Sequence, residues 1–400
     1  MKSPKSPNLL SAFAVTAPGL EPICAAELAV LGLRTKTTEG GVAWTGPLES
    51  VARANLWLRT ATRVVIRAGE FKAKAFFELE LAAKKIEWEN WIAPASSVEF
   101  RVTCRKSKLY HSDAVAQRFE DAVRKRVKNV RFVTEPAEDD EKSGNSGKIS
   151  TPENSQLFII RFFHDVCTVS VDTSGTLLHM RGYRQELAKA PLRETLAAGI
   201  LLGSGWRGDT PLSDPMCGSG TIPIEAARIA RRMAPGRDRA FAFHSWPSFD
   251  AASWKKLIDA AREQELPATP VVIDGSDRDD GAIAAAKANA ERAGVSADVV
   301  FSKRAISALP AADGPGLVAI NPPYGVRVGE SDALRNLYAQ LGNVLRAKRP
   351  GWTLAMLSAD KNLERQTNLE LRERFKTRNG GIPVHLVTAD VNPREEPLPG

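Results

Sequence analysis

The residues best equipped for chemistry stand at Asn321–Gly325, NPPYG, directly after the apolar run GLVAI. Pro322 and Pro323 lack the N–H that a central strand must donate, so the chain has to leave a sheet at this point. That departure frees the backbone carbonyls before and within the proline pair as acceptors. Asn321 adds a side-chain acceptor, and Tyr324 offers an aromatic face. A planar base stacked on that ring could give both hydrogens of an exocyclic amine to these acceptors, which turns the nitrogen lone pair toward an electrophile. On this reading Tyr324→Phe keeps the ring and most of the activity. A plain proline-rich turn is the bland alternative.

A second group lies in DPMCGSGTIPIEAA, Asp214–Ala227, where a strand reads as giving way to a helix. Gly218 and Gly220 permit a tight turn and close backbone approach to a ligand. No GK[ST] follows, which excludes a P-loop, and no third glycine completes GxGxxG. An acid ahead of the glycines suits a ligand with an ammonium group better than a pyrophosphate. Further on, VVIDGSDRD places Asp277 where a second parallel strand ends, and a carboxylate there could accept two ribose hydroxyls. Asp274 is its rival but falls inside the apolar run. The spacing from Gly220 far exceeds the usual ~20 residues. The stretch 234–265 therefore reads as an insertion packed on the edge of the same domain.

Other chemistries find little support. Cys24, Cys104, Cys167 and Cys217 form no CxxC pair, and the five histidines are scattered, so no metal is expected. Attack on cytosine C5 needs a nucleophilic cysteine, and none lies near Asn321 in sequence. Cys217 is expected to pack or donate its backbone N–H. Cysteine usage fits a reduced, cytoplasmic setting, and no apolar run has transmembrane length. Lys2 and Lys5 ahead of LLSAFAVTA mimic a short signal peptide, but PGLEPICAAELAVLG follows directly, which favours a first strand and helix.

These residues need a scaffold. From about Arg181, strands TPLSDPM, PVVIDGSD, ADVVFSK, GLVAINPP, WTLAMLSAD and VHLVTADV alternate with helices that include 222–233, 281–293, 331–347 and 361–374. Such alternation predicts a parallel sheet covered on both faces. Ahead of it the order is mixed α+β: strand, helix and strand over 10–45, helix and strand over 48–70, helix over 73–92, then the strand EFRVTCR. SDAVAQRFEDAVRKRVKN reads as an amphipathic helix capped by Ser112 or Asp113, and LFIIRFFHDVCTVSVD as a hairpin. Three regions follow: 1–70, 71–180 with a flexible polar insertion at 135–156, and 181–400.

The net charge of +8 favours a polyanionic partner. It is concentrated between Arg101 and Arg131, where ten Lys/Arg face three acids (Asp113, Glu120, Asp121). Arg105, Lys106, Lys108, Arg124, Lys125 and Lys128 are the candidate contacts with that partner; a solvated helix face is the alternative.

DPMCGSGT, GSDRD and NPPYG, in that order on β/α units, resemble the class I S-adenosylmethionine methyltransferases that act on amino groups. RGYRQELAKAPLRETLAAGILLGSGW resembles the lead-in of THUMP-domain RNA methyltransferases, and FAVTAPGLEPICAAELAVLG with GGVAWTG resembles their ferredoxin-like and THUMP region. The bacterial 23S rRNA guanine-N2 methyltransferase (RlmL-like) family is the nearest pattern. The resemblance spans nearly the whole chain apart from 135–156. It implies a Rossmann-like α/β methyltransferase domain with a mostly parallel seven-stranded sheet behind an α+β region. It further implies S-adenosyl-L-methionine as cofactor and N2-methylguanosine formation on rRNA, or on tRNA, by a monomer with no metal and no membrane attachment. Cofactor contacts would be Asp214, Met216, Cys217, Gly218, Gly220, Thr221, Asp277 and, in the lead-in helix, Thr195; catalysis would fall to Asn321, Pro322, Pro323 and Tyr324. One departure stands out. Many relatives carry an acid for the adenine amino group after the third strand, where this chain has Lys303 and Arg304, so adenine recognition falls to backbone groups, Ser302 or Ser307. Adenine N6 is the alternative target, and an RNA-binding factor with a vestigial cofactor site the non-enzymatic one.

Overall fold

A computed structural model describes residues 9–133, 155–185, 192–312, 314–324 and 331–392. The chain divides into two compact units: residues 1–16, 24–178 and 236–260 form the first, and residues 17–23, 179–235 and 261–400 the second.

The first unit carries β1 (Leu10–Thr16), α1 (Glu21–Val30), β2 (Thr35–Thr38), β3 (Gly41–Gly46), α2 (Leu48–Trp57), β4 (Ala61–Lys72), α3 (Phe76–Ala83), β5 (Ser97–Arg105), α4 (Ser112–Arg124), β6 (Arg131–Val133), β7 (Ser155–Phe163) and β8 (Val166–Asp172). Its sheet runs β2-β3-β1-β4-β8-β7-β5-β6. β4 is twelve residues long and pairs with β1 on one side (Ala12 opposite Ile66) and β8 on the other (Val65 opposite Asp172). One sheet thus runs through both regions read from the sequence on either side of residue 70. The β7–β8 hairpin turns on His164 and Asp165, both at positive φ, as a two-residue turn between twisted strands requires. Most of the expected insertion 135–156 lies outside the described residues, as do the first eight residues and the final NPREEPLPG tail beyond Asn392. Its last two residues are already in β7, where buried Gln156 donates to Asp172 O at 2.9 Å and accepts from Trp246 Nε1 at 2.5 Å.

That last bond bears on the 234–265 stretch. Phe241, Phe243 and Trp246 belong to the same buried core as Trp88, Phe119 and Phe158. The aromatic part of the stretch, residues 236–260, therefore belongs to the first unit and not to the edge of the second. FAFHSW offers too much aromatic surface to sit on an edge.

The second unit carries α5 (Glu194–Gly203), β9 (Leu212–Asp214), α6 (Thr221–Ala230), α7 (Ala251–Glu263, in its last turn), β10 (Ile273–Asp277), α8 (Asp280–Arg292), β11 (Val300–Lys303), β12 (Leu317–Ile320), α9 (Ser331–Lys348), β13 (Thr353–Ser358), α10 (Lys361–Gln366), β14 (Arg372–Asn379) and β15 (Ile382–Asp390). The sheet order is β11-β10-β9-β12-β13-β15-β14. β9 to β13 pair in parallel; β15 runs antiparallel to β13, and β14 antiparallel to β15. The helix expected over 361–374 is cut short. Asn368 turns left-handed at φ 50°, and RERFKTRN, charged and mostly exposed, forms the edge strand β14.

The lead-in segment docks through buried charge. Glu225 of α6 is fully buried, accepts the Tyr183 hydroxyl at 3.0 Å and lies 3.8 Å from the Arg181 guanidinium. Breaking such a cluster from one side costs about 3 kcal/mol. Glu225→Ala should lower the melting temperature by roughly 6–12 °C at 2–4 °C per kcal/mol. Thermal unfolding checks this, and a shift below about 2 °C would show that the cluster contributes nothing net.

Candidate active site

β9 has β10 on one side and β12 on the other, and all three run parallel. After β9 the chain returns beside it as β10, and β12 arrives from the opposite direction of winding. The crevice at their C-terminal ends is thus a topological switch point, where open α/β sheets bind ligands. Asp214 ends β9, Asp277 ends β10, and Asn321 follows β12.

Between Asp214 and α6 the backbone folds into a compact loop. Asp214 Oδ1 accepts the Met216 N–H at 3.1 Å, Cys217 N–H donates to Ser276 O at 3.0 Å, and Gly220 N–H donates to Cys217 O at 2.8 Å. Asp277 Oδ2 accepts the Gly218 N–H at 3.0 Å, while its Oδ1 accepts the Asp279 N–H at 3.0 Å. Asp277 is thereby both the end of β10 and the anchor of the glycine loop. Gly218 and Gly220 sit at φ 51° and 82°. A Cβ on Gly220 would come within 2.9 Å of Ala286 and Phe301, so the glycine is demanded by packing from within the protein as well as by its dihedral. Thr221, Cys217 and Thr195 are buried, and Met216 packs partly against the core under α9. Thr195 lies in the first turn of α5, which packs on α6. Burial, with Asp214 and Asp277 nearby, pushes the Cys217 thiol far up, so it is inert.

Asp214 is 1% exposed. Burial pushes its pKa well above the usual carboxylate range, against the Met216 hydrogen bond, and Asp277 and Asp274 push it further. Ionised in that place, Asp214 would call for a cation. Asp274, the rival acid, accepts Ser213 Oγ at 3.1 Å inside the sheet, and among the described residues it makes no hydrogen bond to the glycine loop. At the end of β11, Lys303 pairs with Asp280, and the Arg304 guanidinium donates to Ser302 Oγ at 2.9 Å.

At the end of β12, the Tyr324 hydroxyl donates to Asn321 Oδ1 at 2.8 Å and accepts from Asn379 Nδ2 at 2.7 Å. The Tyr338 hydroxyl lies 3.4 Å from Pro323 O. Burial raises the Tyr324 pKa, so the phenol keeps its proton and donates. Asn379 was not singled out from sequence, because RNGG reads as hairpin chemistry and hides a second use. Gly325 lies outside the described residues.

In the first unit the six basic candidates separate. β5 and α4 run in opposite directions, and Lys128 O accepts the N–H of Ala95, just ahead of β5. Arg105, Lys106 and Lys108 therefore lie at the opposite end of β5 from Lys128, roughly 26 Å at 3.3 Å per residue. The α4 end is partly neutralised: Arg124 meets Glu120 at 3.7 Å and rests on the Phe132 ring at 4.5 Å. No ion pair among the described residues falls on Arg105, Lys106 or Lys108, and the exposed ring of Tyr110 stands beside them. The described residues hold no group of three or more His, Cys, Asp or Glu placed for a metal ion, and no helix long and apolar enough to cross a membrane.

Because the folded protein binds a proton at Asp214 more readily than the unfolded chain, this group stabilises the ligand-free fold at low pH, and that contribution is lost as pH rises through the raised value. Asp214→Asn should flatten this decline and be the more stable protein at about pH 8. Urea denaturation across about pH 5–8 measures it, and parallel curves for the two proteins would refute it.

Residues 181–388 match the family described as UPF0020, the RMKL-like methyltransferase domain, and residues 11–65 match the RlmL ferredoxin-like domain. The ribosomal RNA large subunit methyltransferase K/L of Syntrophotalea carbinolica is 39% identical over 395 residues, 95% of this chain but 53% of that protein. The chain thus spans about half the length of that relative. The Synechocystis protein slr0064, named for RNA methyltransferase activity, is 34% identical over 94% of this chain and 95% of its own. Among solved structures, SMU.472, crystallised with SAH, superposes with a TM-score of 0.84 at 30% identity, covering 97% of this chain and 99% of the other. A domain match over more than half of the residues, with a relative alike along nearly its full length, settles the assignment: the chain belongs to the RMKL-like methyltransferase family and pairs that catalytic domain with an RlmL ferredoxin-like one.

Proposed function

We propose that this chain is an S-adenosylmethionine-dependent RNA methyltransferase that forms N2-methylguanosine, with large-subunit rRNA as its substrate. The observation that carries the reading is the meeting of Asp214, the glycine loop, Asp277 and Asn321 at one switch point. The residues fit the cofactor. Asp214 is a buried carboxylate with like-charged neighbours, which a sulfonium and an ammonium would relieve. Each Asp277 oxygen accepts one backbone N–H and keeps a second lone pair for a ribose hydroxyl. The names of the relatives, and the SAH held by SMU.472, support the same reading.

When bound, the cofactor supplies a methyl group on a sulfonium, already a strong electrophile. The chain's own contribution is then mainly to orient the nucleophile. Asn321 Oδ1, which spends one lone pair on Tyr324, has a second for one amine N–H, and the Pro322 carbonyl can take the other. Both are acceptors that hold a hydrogen bond without taking a proton, so the proton shed by the methylated amine passes to water. Adenine N6 presents the same two hydrogens, and mass spectrometry of nucleosides from RNA of a deletion strain separates the two products.

Asn321→Ala should cut turnover by a hundredfold or more, taking a lost positioning hydrogen bond as roughly 3 kcal/mol, with RNA affinity unchanged. Normal turnover would end the amino-group mechanism. Asp277→Ala should weaken SAH binding by about 1.5–3 kcal/mol in calorimetry, while Asp274→Ala should not; the reverse result would exchange their roles.

For RNA, the unpaired basic end at Arg105, Lys106 and Lys108 is favoured over the α4 end. Reversing those three charges should reduce the salt dependence of RNA affinity by roughly two to three units of log–log slope. Reversing Arg124, Lys125 and Lys128 should change it less. Equal slopes for the two triple variants would assign the footprint to neither end alone.

A further inference from the structure

Asn379 stands outside the motifs of this family, yet it reaches the catalytic loop. β15 is antiparallel to β13, so β14 runs in the same direction as β13, and the β14–β15 turn emerges at the same sheet edge as the ends of β9, β10 and β12. The turn closes with Asn379 opposite Ile382, and Gly380 and Gly381 between them carry the positive φ values, 55° and 85°. The turn therefore has no need of the left-handed tolerance of asparagine at 379. What the side chain does instead is donate to the Tyr324 hydroxyl at 2.7 Å, while that hydroxyl donates to Asn321 Oδ1 at 2.8 Å.

We propose that Asn379 is a positioning residue for methyl transfer, acting through the Tyr324 phenol to fix the side-chain amide of Asn321. The inference rests on the reading of Asn321 as the acceptor of the target amine. A phenol has one proton and must choose where to send it. With the Asn379 N–H already on its oxygen, the proton goes to Asn321. The Asn321 amide is then held with its oxygen toward Tyr324, one lone pair occupied and the other left for a single N–H of the substrate. Without that donation the amide can flip and present its own NH2 to an amine, which is a clash of donors. The expected role of Tyr324 as a stacking surface leaves its hydroxyl idle. Here the hydroxyl is committed at both ends and the ring packs partly against the core, so Tyr324→Phe is not a silent change.

Asn379→Asp is the sharp variant. It is isosteric, keeps the turn and replaces the donor by an acceptor, so the phenol proton is drawn to the new carboxylate and away from Asn321. Expected are a loss of about tenfold in kcat for Asn379→Asp, a loss at least as large for Tyr324→Phe, and no further loss in the double variant, because both break one chain. The KM for RNA and the affinity for SAH should hold. Losses that multiply to about a hundredfold, or a fall confined to KM, would overturn the proposal. A second arm needs no substrate. The 13Cζ NMR signal of Tyr324, one of four tyrosines, should move in Asn379→Asp, and an unmoved signal overturns the relay outright. Should wild-type protein leave RNA unmethylated while that signal moves, the relay stands and the RNA reading falls.

Discussion

β9 is three residues long, and Leu212 pairs with a neighbour on each side: Ile273 of β10 and Leu317 of β12. This register brings the C-terminal ends of the three strands within two residues of one another, with Asp277 and Asn321 both two residues beyond Asp214. The candidate site of the second unit depends on it, because Asp214 arrives on β9, Asp277 on β10 and Asn321 directly after β12. A slip of one residue in β12, which is buried along its whole length, would exchange the side chains on its two faces and carry Asn321 about 3.3 Å along the strand.

The price of this arrangement is electrostatic. Asp214 is a carboxyl group in a dry place with two other carboxylates close by, so losing its proton there destabilises the ligand-free fold. Structural ion clusters elsewhere are built the other way. Glu225 has Tyr183 and Arg181 around it, and Glu194 has Arg184 at 3.4 Å. A buried carboxylate matched by cations is neutralised within the fold, whereas one with carboxylates for neighbours is left to be neutralised by a proton or by a bound cation.

The first unit shows how charge along a sequence differs from charge on a surface. Ten basic residues in one stretch read as a single patch, but the strand-to-helix reversal between β5 and α4 sends them to two ends, and Glu80, Glu89 and Glu120 pair with Arg118, Arg126 and Arg124 at one of them. The other end keeps its charges and sets an exposed aromatic ring beside them, the combination suited to unstacked nucleotides.

The sequence by itself determined the class of fold and the candidate residues that meet at the strand ends. Alternating apolar runs and helical periods specify a parallel sheet because each element needs burial on a defined face, and glycines, prolines and acids at strand ends have few roles other than binding. Backbone demands of this kind are local, and so they are legible: DPMCGSG, GSD and NPPY all fall where the strands end. Tertiary structure decided what depends on distant partners. It assigned the aromatic stretch around Trp246 to the first unit, since only the Phe119–Phe158 core can bury it. It made an edge strand of RERFKTRN, whose charges look helical until β15 offers a partner. It also brought Asn379 to Tyr324 across 55 residues, because a hydrogen bond between side chains depends on where two strands end, and neither strand records the other in its own residues.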